Sequence, residues 1–273
     1  MRHALLFFML ISGLGSVAQM TSTQGNKGRA FVYWGWNRAW YTASDLHLKG
    51  YGFDFTLKHI AAQDRPTDYD TKLYFNPSSA PIPQYNFRMG YFLRQNYSIS
   101  FGMDHMKYVM VQDQTVKING DIHGTETGYN GSYADDDVVV SDQLLCFEHT
   151  DGLNYVNLEL RRFDEVWAWK KVKVALTEGF GAGVLVPKTN ARVLDNERND
   201  EFHLAGYGIG AVAGLNVTFF SSFFIQSEFK GGFINMPDIL ITQNDGDRAD
   251  QHFFFAQWNW EIGASFRLVK PKQ

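Results

Sequence analysis

The chain has 273 residues, 25 Lys+Arg against 29 Asp+Glu, a formal net charge of -4, and one cysteine, Cys146. That balance provides no basic stripe, so no nucleic-acid partner is expected. A lone cysteine excludes an internal disulfide framework and a CxxC metal pair.

The first residues, MRHALLFFMLISGLGSVAQM, combine a short basic start with an apolar run from Ala4 to Leu14 and the small-x-small site Ser16-Val17-Ala18. The run is too short for a membrane helix, which needs about twenty residues. Residues 1–18 are therefore read as a secretory signal peptide, with export and a mature chain from Gln19. Residues 19–45 contain AFVYWGWNRAWYTASD, where Trp34, Trp36 and Trp40 alternate with Tyr33 and Asn37. This stretch is read as an N-terminal extension along or inside the mouth of the domain that follows.

Residues 46–273 repeat one pattern eight times: apolar and polar residues alternate with period 2, as on a strand with one apolar and one polar face. The segments are residues 47–60, 85–95, 97–111, 155–163, 170–186, 203–220, 222–233 and 254–269. The last sets Phe254, Trp258, Trp260, Ile262 and Phe266 against Gln257, Asn259, Glu261 and Arg267. Its length far exceeds the roughly five or six residues usual for strands.

Connections around Gln95-Asn96, Val166 to Trp169 and Phe220-Ser221 are short, whereas residues 61–83, 112–143, 187–201 and 236–250 are long and polar. Alternating long and short connections, with aromatics near apolar ends, are the layout of an outer-membrane barrel. The expected fold is all-β: an antiparallel transmembrane β-barrel of eight strands, or ten as the alternative. Long loops would lie outside the cell and short turns in the periplasm, which places the protein in a bacterial outer membrane.

The inward set of such a barrel includes Asp54, Arg88, Asp104, Glu159, Arg161, Lys173, Glu228, Lys230, Glu261 and Arg267. Eight strands leave room for little beyond their own side chains. These charges are accordingly expected to pair with one another and fill the lumen.

Five histidines, His59, His105, His149, His203 and His252, stand near loop-side strand ends with acids beside them. FGMDHMKY and CFEHTDGLNY each place an acid directly before a histidine, so Asp104, His105, Glu148, His149 and Asp151 are the candidate catalytic residues of a lipid hydrolase or acyltransferase. Histidine with carboxylate also suits a transition metal, though the residues do not say which. Adjacent strand residues face opposite ways, so acid and histidine share a face only across a bulge, which Gly152 could supply. Asp135-Asp136-Asp137 and the acids of residues 244–250 lack calcium-loop spacing and read as solvated loop charge.

FGMDHMKYVM, FEHTDGLNY and the Ala18/Gln19 junction resemble the small outer-membrane β-barrels exported by Bacteroidota, a family of unassigned function. Lipid A deacylases are similar in size and use a rim-level Ser, His and acid; their His-x-Ser signature is absent here. The first expectation is therefore a structural or interaction component at the cell surface, with no cofactor. Its partners would be outer-membrane lipid and lipopolysaccharide, and possibly outer-membrane proteins. A lipid-modifying enzyme and a narrow solute channel are the alternatives.

Overall fold

A computed structural model describes residues 25–68, 70–74, 83–194 and 196–268; the signal-peptide reading lies outside them. In chain order the strands begin with β1 (Arg29–Tyr41), β2 (Ser44–Gly50), β3 (Phe53–Ile60) and β4 (Ala62–Gln63), followed by one helical turn, α1 (Thr71–Tyr74). Next come β5 (Tyr85–Phe92), β6 (Tyr97–Met110), β7 (Thr115–Ile122), β8 (Gly131–Val139) and β9 (Leu145–Trp169). The remainder are β10 (Val172–Leu185), β11 (Lys188–Val193), β12 (Asn199–Phe202), β13 (Gly206–Phe219), β14 (Phe223–Leu240) and β15 (Arg248–Arg267). The described residues thus hold fifteen strands, more than the eight or ten expected.

Eight of them form a closed antiparallel sheet in the order β1-β5-β6-β9-β10-β13-β14-β15, and β15 pairs back onto β1. The register can be followed once round, from Phe31 through Gly90, Ser100, Glu159, Gly181, Gly210, Gly232 and Phe255 to Tyr41. Tyr41 lies ten residues beyond Phe31, so the shear is ten. With standard strand spacings, eight strands at that shear tilt by roughly 40° on a radius of about 8 Å.

The eight closing strands are not quite the eight expected. Residues 29–41, read as an extension, form β1, which pairs with β15 from Arg29 to Tyr41. Residues 47–60, read as a wall strand, are a hairpin outside the ring, split at the Gly50-Tyr51-Gly52 turn. The two differences cancel in the count. The tight turn after β9 is Lys170-Lys171, both residues between paired Trp169 and Val172.

Beyond the long-connection end, the ring rises into a crown. Sheet β2-β3-β7-β8 joins it where β2 pairs with Arg248–Gln251 of β15. Hairpin β11–β12 joins the start of β9, and β4 joins β6. Apart from β2 and β3, these strands occupy connections read as long polar loops. They enclose one apolar core containing Leu46, Leu48, Phe55, Ile118, Phe147 and Phe253. The face of β3 assigned to lipid, Phe53, Phe55 and Leu57, points into this core instead.

The ring has the opposite polarity. Its interior is buried and mostly polar, including Arg88, Glu159, Arg161, Glu228 and Lys230, with an aromatic cluster of Phe31, Tyr33, Phe92 and Phe224 at the short-turn end, while Phe101, Leu158, Phe180, Ile209 and Phe229 are exposed outside. All seven tryptophans are exposed or half-buried on the outer wall. Trp167 and Trp169 face outward because Val166 is an extra residue in β9, opposite the register shift at Val174/Ala175 of β10.

Candidate functional site

The inward parity of each strand dictates what meets in the lumen. Arg88 from β5, Asp104 from β6, Glu159 and Arg161 from β9, Glu228 and Lys230 from β14, and Glu261 from β15 are all at most 2% or 3% exposed. Arg161 lies at the centre. Its Nε donates to Glu159 at 2.6 Å, and its two terminal nitrogens donate to Glu228 at 2.5 and 3.0 Å. Lys230 donates to Glu159 at 2.8 Å and to Asp104. Arg88 lies 3.0 Å from Glu159 and donates to Asn157 at 2.8 Å.

Neutral groups complete the pairing. Tyr33 of β1 accepts from both Arg88 and Arg161. Asn86 donates to Asp104 at 2.7 Å, and Asn37 donates to Asn86 at 2.8 Å. Chain reasoning from charge missed Tyr33, Asn37, Asn86 and Asn157, although their strand parity places them on the same face. Two β10 glycines make room: a Cβ at Gly179 would sit 2.8 Å from Arg161 Cγ, and one at Gly181 would sit 2.5 Å from Glu159 Cγ. Burial of so many charges is tolerated because each cation has several partners. Glu261 differs, since neither of its carboxylate oxygens receives a hydrogen bond.

Three residues of the expected lumen set take no part in this central network. Asp54 is on the crown surface, bonded to His47 at 2.8 Å, because its strand left the ring. Lys173 pairs with Glu165 at 3.1 Å towards the short-turn end. Arg267, near the end of β15, donates to the carbonyls of Lys27 and Gly25.

The acid–histidine pairs do not converge. Asp104 is held inside by Asn86, Asn157 and Lys230. His105 points outward, where its Nδ1 meets Asn154 Oδ1 at 2.8 Å and its ring stacks on Tyr85 at 4.8 Å. A bulge does occur nearby, at residues 150–152 of β9 opposite Lys107, and Gly152 takes φ 126° there. It re-aims β9 without turning Asp104 towards His105.

Glu148 pairs with Arg65 at 2.9 Å, and Asp151 pairs with Lys188 at 2.9 Å. His149 is fully buried in the crown among Tyr108 and Phe147, touching Thr189 at 3.1 Å. The other rim histidines are scattered: His203 bonds Asp238 at 2.9 Å, His59 faces Asp45, and His252 packs beside Phe233. Among the described residues, no three His, Cys, Asp or Glu side chains gather as a metal ion would require.

Burial pushes the His149 imidazole down to about 3. A group depressed in this way stabilises the folded crown above its unfolded value, about 6.5, and loses that contribution as pH falls below it. Between pH 6.5 and 5 the expected loss is about 2 kcal/mol. Protection factors of the β7, β9 and β11 amides, taken relative to the intrinsic exchange rate at each pH, should therefore fall at pH 5, and His149→Leu should abolish the difference. His47 runs the other way. Partial burial lowers it, but hydrogen bonds to Asp54 and Asp250 outweigh that and raise it.

No protein-family model matches the chain, and no curated protein matches it. Among solved structures it is similar to the outer membrane protein AlkL in DMPC bilayers, at 10% identity over 95% of this chain and 100% of that one, with a TM-score of 0.44. It is also similar to OprG of Pseudomonas aeruginosa, at 11% identity over 90% and 100%, with a TM-score of 0.40. A third is Ail of Yersinia pestis bound to a heparin analogue, at 10% identity over 88% and 99%, with a TM-score of 0.34. Likenesses this distant leave function to be read from the chain's own residues.

Proposed function

We propose that the chain is an integral outer-membrane β-barrel with a sealed lumen, acting as a structural or interaction component at the cell surface. The observation that carries this is the inverted polarity of the ring: charges inside, apolar residues and every tryptophan outside. Water-soluble domains bury large aromatics or cover them. A wall of this kind is stable against hydrocarbon, and closure of the sheet satisfies every backbone group at that depth. The outward row of β15, Phe254 to Phe266, rises about 30 Å along the axis at the tilt above, close to a hydrocarbon thickness.

The seal has three layers. Paired charges fill the ring, buried Phe31, Phe92 and Phe224 close its short-turn end, and the crown packs an apolar core over its upper mouth. The crown, raised beyond the membrane on the long-connection side, is the surface offered to outer-membrane protein partners. Lipopolysaccharide would meet the upper wall. An enzyme built on Asp104, His105, Glu148, His149 and Asp151 is disfavoured by their divergence, and a channel by the packing of Arg161 and Lys230. Reconstitution into planar bilayers tests the reading. Inserted wild-type protein should pass no resolvable current in molar KCl; steady unitary conductance would refute the seal.

A further inference from the structure

In the crown-side half of the ring's apolar wall, Arg38 is the one Lys, Arg, Asp or Glu among the described residues that faces outward. It is on β1 between Trp36 and Trp40, outward with them, and across the strand pair it faces Trp258 of β15. Trp258 in turn packs on Trp260 at 4.5 Å and on Phe229 at 5.4 Å. The guanidinium donates to the carbonyl of Asn37 at 3.0 Å, which leaves most of its five N–H groups for other acceptors. Among the described residues no carboxylate lies within ion-pair distance of it.

The acid beside it is Asp64, which lines the same hollow with Ala62, Gln63 and Tyr41. Asp64 is already engaged, accepting from the Ala39 amide at 3.1 Å and from Gln84 at 2.6 Å. The next cation up, Lys107, donates to Thr67 at the rim. A cation on a lipid-facing wall is costly unless an anion meets it. The Arg38 backbone lies within the apolar wall, and its long side chain can extend towards the side where long connections leave the membrane; the anion available there is the phosphate of an outer-leaflet glycolipid. Arginine binds phosphate in a bidentate fork, and flat tryptophan faces accept the adjoining acyl chains.

We infer that Arg38, with Trp36, Trp40 and Trp258, is a binding site for the phosphate of lipid A. This rests on the outer-membrane reading above. The test is native mass spectrometry of the full-length protein in detergent, with lipid A or its dephosphorylated form added to wild type, Arg38→Ala and Arg38→Lys. Wild type should retain lipid A roughly tenfold better than Arg38→Ala, as expected for a charge-assisted pair. Arg38→Lys should fall between, and dephosphorylated lipid A should not distinguish the three.

Equal retention of lipid A by wild type and Arg38→Ala would overturn the site, as would equal retention of both lipids by wild type. Heat-modifiable gel mobility confirms that each variant is folded. Fractionation of wild-type cells separates the two failures. Protein absent from the outer membrane sinks the underlying reading and the site together, whereas protein present there without phosphate selectivity sinks the site alone.

Discussion

Arg161→Leu should destabilise the barrel by about 3–5 kcal/mol, read as a lower urea midpoint in lipid vesicles. The guanidinium is the shared partner of Glu159 and Glu228, all three at 2% exposure. Removing it leaves two carboxylates facing each other with only Lys230, Arg88 and neutral amides to compensate. Isolated buried charge is far more costly than a missing contact. Glu261→Gln supplies the contrast. Arg88, Arg161 and Lys230 face four acids, Asp104, Glu159, Glu228 and Glu261, and Glu261 is the one without a hydrogen-bond donor. Replacing its carboxyl by an amide should leave the midpoint unchanged or raise it. A similar loss from both substitutions would mean that the lumen does not discriminate a hydrogen-bonded carboxylate from an unbonded carboxyl group.

Leu158→Arg should cost about 2–4 kcal/mol, the range for a cation near the midplane of a lipid-facing barrel wall. Leu158 is on the outer face of β9 and 55% exposed. On a water-facing surface the same change would be worth within about 0.5 kcal/mol either way. The contrast between those magnitudes separates lipid from water as the solvent of this wall. Refolding into vesicles followed by urea titration measures it, with Tyr51→Arg as the reference. Tyr51 stands at the tip of the β2–β3 turn, 91% exposed in the crown, and its replacement should be neutral.

Most of the ring was legible because alternation reports faces directly. Seven of its strands coincide with alternating segments, and parity alone gathered Arg88, Asp104, Glu159, Arg161, Glu228, Lys230 and Glu261. What alternation does not report is the medium beyond the apolar face. Phe53, Phe55 and Leu57 read as lipid-facing, yet they meet the crown core, so Asp54 was assigned to the lumen in error. β1 was read as part of an extension along or inside the mouth, whereas Trp34 and Trp36 face outward beside Tyr85 and Trp260.

The crown strands were hidden inside polar stretches. β7 carries a short alternation, Val116, Ile118 and Ile122 against Lys117 and Asp121, that could have marked it. β8, with Asp135 at φ 68° and three consecutive aspartates, could not have been read as a strand from its residues. For the histidines, sequence neighbourhood was misleading. Asp104 and His105 are adjacent in the chain and opposed across the wall, and nothing in their spacing brings a second strand to join them.

The central claim, that the outer wall faces lipid, is tested most directly by tryptophan fluorescence in vesicles whose acyl chains carry bromine. All seven tryptophans lie on that wall. Brominated chains should therefore quench most of the emission, and chains brominated near the bilayer centre should act chiefly through Trp34, Trp36, Trp258 and Trp260. Emission unaffected by brominated lipid, but quenched by aqueous acrylamide, would contradict the account.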